Sequence, residues 1–330
     1  MERMKLHVSV ELPAERVRLC HGDHVLMLGS CFAEHVGRRM QDGGFRVEIN
    51  PFGVLYNPAS ILEALKALSD GLPKEMYFES DEMWHSWLHA GHFSGPTLDN
   101  CRRLVEERYE RACLSFRRLN RLYITWGTNR AYYMADGNFA GHVVANCHKM
   151  PHRLFVEQAM TPDEIVTQWT PMVERLMTEK PELRIVLTVS PYRYAKYGFH
   201  GSQLSKAALL MAADELCRRF AGACHYFPAY EIVTDELRDY RFYEADMLHP
   251  SMQAVDYVWE RFSDWSFSGE TREIIDEWEP LRRALAHRPF HPRTAAHSAF
   301  LQKIEQRVAR LIEKYPNFAP SYGADGADPV

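Results

Sequence analysis

"VLMLGSCFAEHVGRRM", Val25 to Met40, changes its period within three residues. Val25 to Leu28 is an unbroken apolar run. Gly29-Ser30-Cys31 interrupts it, and Ala33, Val36 and Met40 then recur at helical spacing. A continuously apolar strand feeding a helix through a tight turn is the repeating unit of a parallel sheet covered on both faces. The alternation continues along the chain. Strands are predicted at "HVLML" before Ser30, "FRVEIN" from Phe45, "RLYITWG" from Arg121, "RIVLTVSP" from Arg184 and "CHYFPAY" from Cys224. Helices are predicted between them. One opens at "TPDEIV", where Thr161 caps, Pro162 takes the first helical position and Glu164 completes a capping box before Ile165, Trp169, Val173 and Leu176. Another spans Ser202 to Phe220, with Leu209, Leu216 and Phe220 on its apolar side. The reading is an α/β fold with a mostly parallel sheet, in which ligands bind at the carboxyl ends of strands. Ser30 stands at one of those ends.

Two regions break the pattern. Residues 57 to 120 offer the helix "PASILEALKAL", an aromatic and histidine-rich stretch "EMWHSWLHAGHFSGP" and a second helix, read as an insertion over a site. From residue 266 on, two helical stretches separated by "HRPFHPR" precede the polar tail "GADGADPV", read as an appended hairpin with a frayed end. The expected domains are therefore residues 1–265 and a C-terminal extension over 266–330.

Composition narrows the function classes. The 330 residues are 46% hydrophobic and 25% charged, the profile of an enzyme-sized globular chain. A net charge of -5 with dispersed lysines and arginines gives no basic stripe for a phosphate backbone, so nucleic acid is not an expected partner. No run approaches the roughly 20 apolar residues that span a bilayer, and "MERMKLHVSVELPAER" has charges where a signal peptide has its apolar centre. A cytoplasmic protein is expected. Seven cysteines, an odd number without a CxxC pair, fit free thiols rather than disulfides or a zinc ribbon.

The chemistry is carried by Ser30 and by "DMLHPS". Asp246 precedes His249 by three residues, Pro250 and Ser251 signal a helix start, and Met252, Val255, Trp259 and Phe262 follow at helical spacing. A carboxylate one turn before an imidazole fixes its tautomer and leaves Nε2 to take a proton. A serine hydroxyl at a helix N-terminus needs such a base, and the helix amides can receive an oxyanion. The bland reading of Ser30 is a helix N-cap. Cys31 is a rival nucleophile, yet it sits about 100° around the helix from Ser30 and is expected to pack against the sheet.

Gly29-Ser30-Cys31-Phe32-Ala33 resembles the signature of the GSCFA family, which looks like a branch of the SGNH (GDSL-like) hydrolases. "NPFGVLYNPASI" from Asn50, "TWGTN" from Thr125, "VANCHKMP" from Val144, "SPYRY" from Ser190, "QLSKAALL" from Gln203 and "DMLHPS" from Asp246 are similar to family blocks in the same order. The resemblance implies an SGNH-hydrolase-like, flavodoxin-like three-layer sandwich. It also implies a Ser30–His249–Asp246 triad, with an oxyanion hole from the Ser30 and Gly53 amides and the Asn129 side chain. Gly127-Thr128-Asn129 is followed by Arg130 where that block usually has an acidic residue, and Asn146 competes with Asn129 for the role. No metal or organic cofactor is implied, and the substrate expected is an acyl ester, on a carbohydrate by analogy. An O-acyltransferase using the same acyl-enzyme and a non-catalytic glycan- or acyl-binding protein are the alternatives.

His85, His89 and His92 have i, i+4, i+7 spacing that would suit a metal on a helix, but the surrounding aromatics favour a pocket wall. His85, Asn146, His148 and Arg193 are expected to shape the site, and Lys206 is an isolated charge of undecided role. A monomer braced by the helices after Ser266 and a homo-oligomer formed through them are both open.

Overall fold

The computed structural model describes residues 8–287, 294–318 and 320. Most of the "HRPFHPR" separator, the polar tail and residues 1–7 lie outside the described residues, with the expectations that fall on them.

The chain enters with β1 (His24–Gly29), α1 (Cys31–Asp42), β2 (Arg46–Ile49) and α2 (Pro58–Asp70). A hairpin of β3 (Tyr77–Ser80) and β4 (Met83–Ser86) follows, then α3 (Leu98–Arg117) and β5 (Arg121–Trp126). β6 (Arg130–Met134), β7 (Val143–Val144) and β8 (Phe155–Ala159) form a small antiparallel sheet. The last α/β units are α4 (Pro162–Glu179), β9 (Arg184–Val189), α5 (Gly198–Arg219) and β10 (Cys224–Tyr226). A short turn α6 (Ala229–Glu231) leads through a π-helical turn (Ile232–Leu237) toward α7 (Met252–Ser266), α8 (Gly269–Ala286) and α9 (Ala295–Lys314).

The main sheet has the order β10-β9-β5-β1-β2, and every neighbouring pair is parallel. Counting only its own strands this is 2-1-3-4-5, a doubly wound order whose switch point lies between β1 and β5. Alternation along the strands divides the core in two. Leu26, Leu28, Leu122, Ile124, Ile185 and Leu187 face α2, α3, α4 and α5. Val25, Met27, Tyr123 and Val186 face α1 and α7. Helices therefore cover both faces, because every central strand is apolar on both.

The segment read as an insertion over a site does not roof one. α2 and α3 lie within the first core through Leu62, Leu65, Val105 and Ala112, so the segment is the crossover from β2 to β5. The helix from "TPDEIV" forms as expected, with both hydrogen bonds of the Thr161–Glu164 capping box present. α8 and α9 pack through Ile274, Trp278, Leu281, Val308 and Leu311, and fasten to the core at the α1–β2 turn. Trp278 Nε1 donates to Asp42 O at 2.7 Å, and the Phe318 ring meets the His21 ring edge-on at 5.2 Å.

Candidate active site

The turn from β1 into α1 is built around Gly29. Its φ is +149°, and a Cβ there would stand 2.4 Å from Thr125 O, so only glycine fits. Asn50 Oδ1 accepts from Gly29 N at 2.9 Å, and Leu55 N donates to Gly29 O at 3.0 Å, fixing the strand end from below. Ser30 then takes the N-cap position with extended backbone, yet its side chain makes no capping bond. Ser30 Oγ is buried and has no hydrogen-bond partner. The N-cap reading is therefore not what the hydroxyl does, and a buried unpaired hydroxyl costs about 1–3 kcal/mol.

Asp246 and His249 meet as their spacing suggests. His249 Nδ1 lies 2.5 Å from Asp246 Oδ2, while Asp246 Oδ1 accepts from the His249 and Leu248 amides at 3.0 and 2.9 Å. Those bonds, led by the His249 amide and then its imidazole, hold the Asp246 carboxyl down at about 2. Asp246 is an anion throughout the neutral range. Arg193 secures the same loop, its amide donating to Leu248 O at 3.0 Å and its Nη1 to Met247 O at 3.1 Å. Met247 is held at φ +61°, a conformation unfavourable for a side chain of that size.

Ser30 and His249 line one cavity of about 510 Å³ at the carboxyl ends of β1, β5 and β9. Tyr56, Tyr192 and Tyr194 form an aromatic wall, with the Tyr192 ring 4.4 Å from the imidazole. Phe32, Met252 and Val255 form an apolar one. α1 and α7 both begin here, so two helix N-termini bring their partial positive charge to the cavity. Cys31 does not pack against the sheet as expected: it is half-buried and lines the cavity beside Ser30 and Tyr56. Burial raises its thiol pKa, although the Cys31 and Phe32 amides pull the other way, so Cys31 is not an activated thiolate.

The expected oxyanion donors are placed differently. Gly53 N donates to Asn50 O at 2.8 Å, closing the turn beneath Gly29, and a Cβ on Gly53 would stand 2.3 Å from Ala90 Cβ. Asn129 Nδ2 donates to Met160 O at 2.8 Å. Both groups are committed elsewhere, and neither residue lines the cavity. The Gly127 and Thr128 amides are also taken, both by Tyr56 O. Asn50 Nδ2 is buried without a partner on a side chain already bonded to Gly29, and Asn50 does not line the cavity either.

His85, His148 and Asn146 form a separate cluster. The His85 and His148 rings lie 4.9 Å apart beside Phe78, and Trp87 packs on the same ring. Their nitrogens meet Ser94 Oγ, Ser80 O and Ser86 O, and Asn146 Oδ1 accepts from His148 N. None of them lines the cavity; they brace the β3–β4 hairpin against the loop after β7. The helical spacing of His85, His89 and His92 is not realised, since His85 is in a strand and His92 in a single 3-10 turn. Among the described residues no three His, Cys, Asp or Glu side chains could hold a metal together.

The tyrosines and Lys206 are what the sequence reading undervalued. Tyr56, Tyr192 and Tyr194 lie in the NPFGVLYNPASI and SPYRY segments, where an aromatic ring gives no sign of facing a cavity. Lys206 is fully buried on α5, and its Nζ donates to Gly127 O at 2.6 Å and Ser190 O at 2.7 Å, joining the ends of β5 and β9 behind the cavity.

A doubly wound α/β protein with a serine and an oriented histidine at its strand ends is thus the class the geometry defines. The chain belongs to the GSCFA family: residues 24–262 match its family model, and residues 278–321 match that of the GSCFA domain protein, C-terminal domain. No curated protein matches the chain. A similar solved structure is described as "a putative platelet activating factor from Streptococcus pneumonia", with 11% identity, a TM-score of 0.38, and coverage of 73% of this chain and 82% of that one. No helix among the described residues is long and apolar enough to cross a membrane.

Proposed function

We propose that the protein is a serine hydrolase of SGNH type that cleaves an acyl ester through a Ser30–His249–Asp246 triad. The observation that carries this is the buried, unpartnered Ser30 hydroxyl sharing a cavity with an imidazole whose Nδ1 is held by a carboxylate. His249 Nε2 takes the proton of Ser30 Oγ as that oxygen bonds to the ester carbonyl carbon. The tetrahedral intermediate collapses, the C–O bond to the alcohol breaks, and the proton passes to the departing oxygen. Water then attacks the acyl-serine with His249 again as base, releasing the acid. The N-terminal amides of α1 are the donors offered to the oxyanion, in place of Gly53 and Asn129.

Labelling by a fluorophosphonate tests the reading, followed by intact mass and peptide mapping. Label is expected on Ser30 of the wild type and of Cys31→Ala, absent in Ser30→Ala and at least ~100-fold slower in His249→Ala. Folded wild type that takes no label favours a non-catalytic binding protein instead.

A further inference from the structure

Beside the cavity at Ser30, and sharing Tyr192 with it, lies a smaller one of about 60 Å³. Arg193 and Lys206 line it together with Gln203, Tyr230, Thr234 and Tyr243, and no carboxylate does. The ammonium of Lys206 uses two hydrogens on backbone carbonyls; the third has no hydrogen-bond acceptor among the described residues, the Tyr230 ring stands 5.9 Å from the nitrogen, and no acidic side chain pairs with it. Joining two strand ends needs two donors but no charge. A buried cation without a counter-ion is costly, so the ammonium form is weakly held there unless an anion joins it. Arg193 is held over the rings of Phe199 and Tyr243 at 4.4 and 5.4 Å, with most of its N–H groups still free.

We propose that this second cavity is an oxyanion subsite, taking a carboxylate or phosphate group that ion-pairs with Lys206 and Arg193. Its volume suits a group of a few heavy atoms. If Ser30 acts as proposed above, the anion belongs to the ester it cleaves, a clause that rests on that reading; the cavity and its two cations do not.

Binding is tied to a proton. Burial pushes Lys206 down to about 7, and an anion beside it raises it again, so above that pH the ligand enters together with a proton. The other titratable groups around Lys206 are few. Tyr192, Tyr230 and Tyr243 share its cavity, Arg193 adds a cation, and β5 and β9 contribute only carbonyls. Glu231 on α6 is engaged by Tyr226 Oη, and the residues α4 buries are all apolar.

The test is calorimetry with inorganic sulfate, which does not titrate near neutrality, in two buffers of different ionisation enthalpy. Wild type is expected to bind sulfate with net proton uptake, the affinity falling by up to about tenfold per pH unit above 7. Lys206→Arg is expected to bind without proton uptake, Lys206→Met at least tenfold more weakly, and Arg193→Gln several-fold more weakly with uptake retained. No saturable binding by folded wild type, or equal binding by folded Lys206→Met, overturns the subsite. If Lys206→Met does not fold, proton uptake in wild type and its absence in Lys206→Arg decide. Fluorophosphonate labelling of the same samples separates the two readings. Labelled Ser30 without sulfate binding overturns the subsite alone, whereas sulfate binding with proton uptake and no label supports the subsite and removes the hydrolase.

Discussion

Ser30 and His89 are both buried polar side chains, and they meet burial in opposite ways. Ser30 leaves its hydroxyl without a partner at the mouth of a helix. His89 is satisfied: its Nδ1 lies 2.8 Å from Ser86 Oγ, its ring stacks on Phe52 at 4.8 Å, and burial lowers its pKa to about 3. Because the folded value lies below that of a free histidine, the unfolded chain takes up a proton below pH 6.5 that the folded chain refuses. Stability therefore falls as pH drops from 6.5 toward 3, by about 1.4 kcal/mol per unit from this residue. Urea unfolding of wild type and His89→Gln at pH 6.5 and pH 5 checks it. Wild type is expected to lose about 2 kcal/mol more than the variant over that interval, and equal losses would refute the assignment. The contact between Asp246 and His249 is legible because local spacing orients an Asp-x-x-His pair, and Ser30's place at the cavity because a strand-to-helix turn marks a strand end. Where the Gly53 amide and the Asn129 side chain point depends on which acceptor they meet first, and sequence does not display Asn50 O or Met160 O beside them.

The strands of the main sheet were the most legible elements, since continuous burial on both faces writes an unbroken apolar run. The β3–β4 hairpin was not. Its two-residue turn is Asp81-Glu82, both at positive φ, without the Asn-Gly or Asp-Gly pair that marks such turns. The His85, His89 and His92 spacing imitates a helix although only His85 is in the hairpin, His89 follows β4 and His92 sits in a 3-10 turn. The join of β1 to α1 makes the sharpest demand on a single residue. Gly29→Ala places a methyl against Thr125 O and is expected to destabilise the fold by roughly 2–4 kcal/mol, read by urea unfolding. A change under about 0.5 kcal/mol would show that β1 and β5 can part without cost.

Across the molecule, the C-terminal helices hold the end of α1 farthest from Ser30. Trp278 is buried against that end, and Phe318 fills the space that Gly44 leaves open. Trp278→Ala is expected to cost about 3–5 kcal/mol in urea unfolding, with the rate of Ser30 labelling in the folded protein unchanged. A labelling rate that falls in step with stability would place the brace within the site itself.

The two halves of the candidate triad travel on separate bodies. Ser30 rides at the head of α1 and His249 just ahead of α7, and these helices abut through Val36, Met40, Val255 and Val258, with Arg39 paired to Asp256 at 2.5 Å. No hydrogen bond joins the hydroxyl to the imidazole. Their separation is therefore an alignment between two rods, governed by side chains one and two turns away. Such an alignment drifts continuously as the contact softens, so if Ser30 acts as proposed, its labelling rate is expected to fall gradually with temperature before the cooperative loss of the fold.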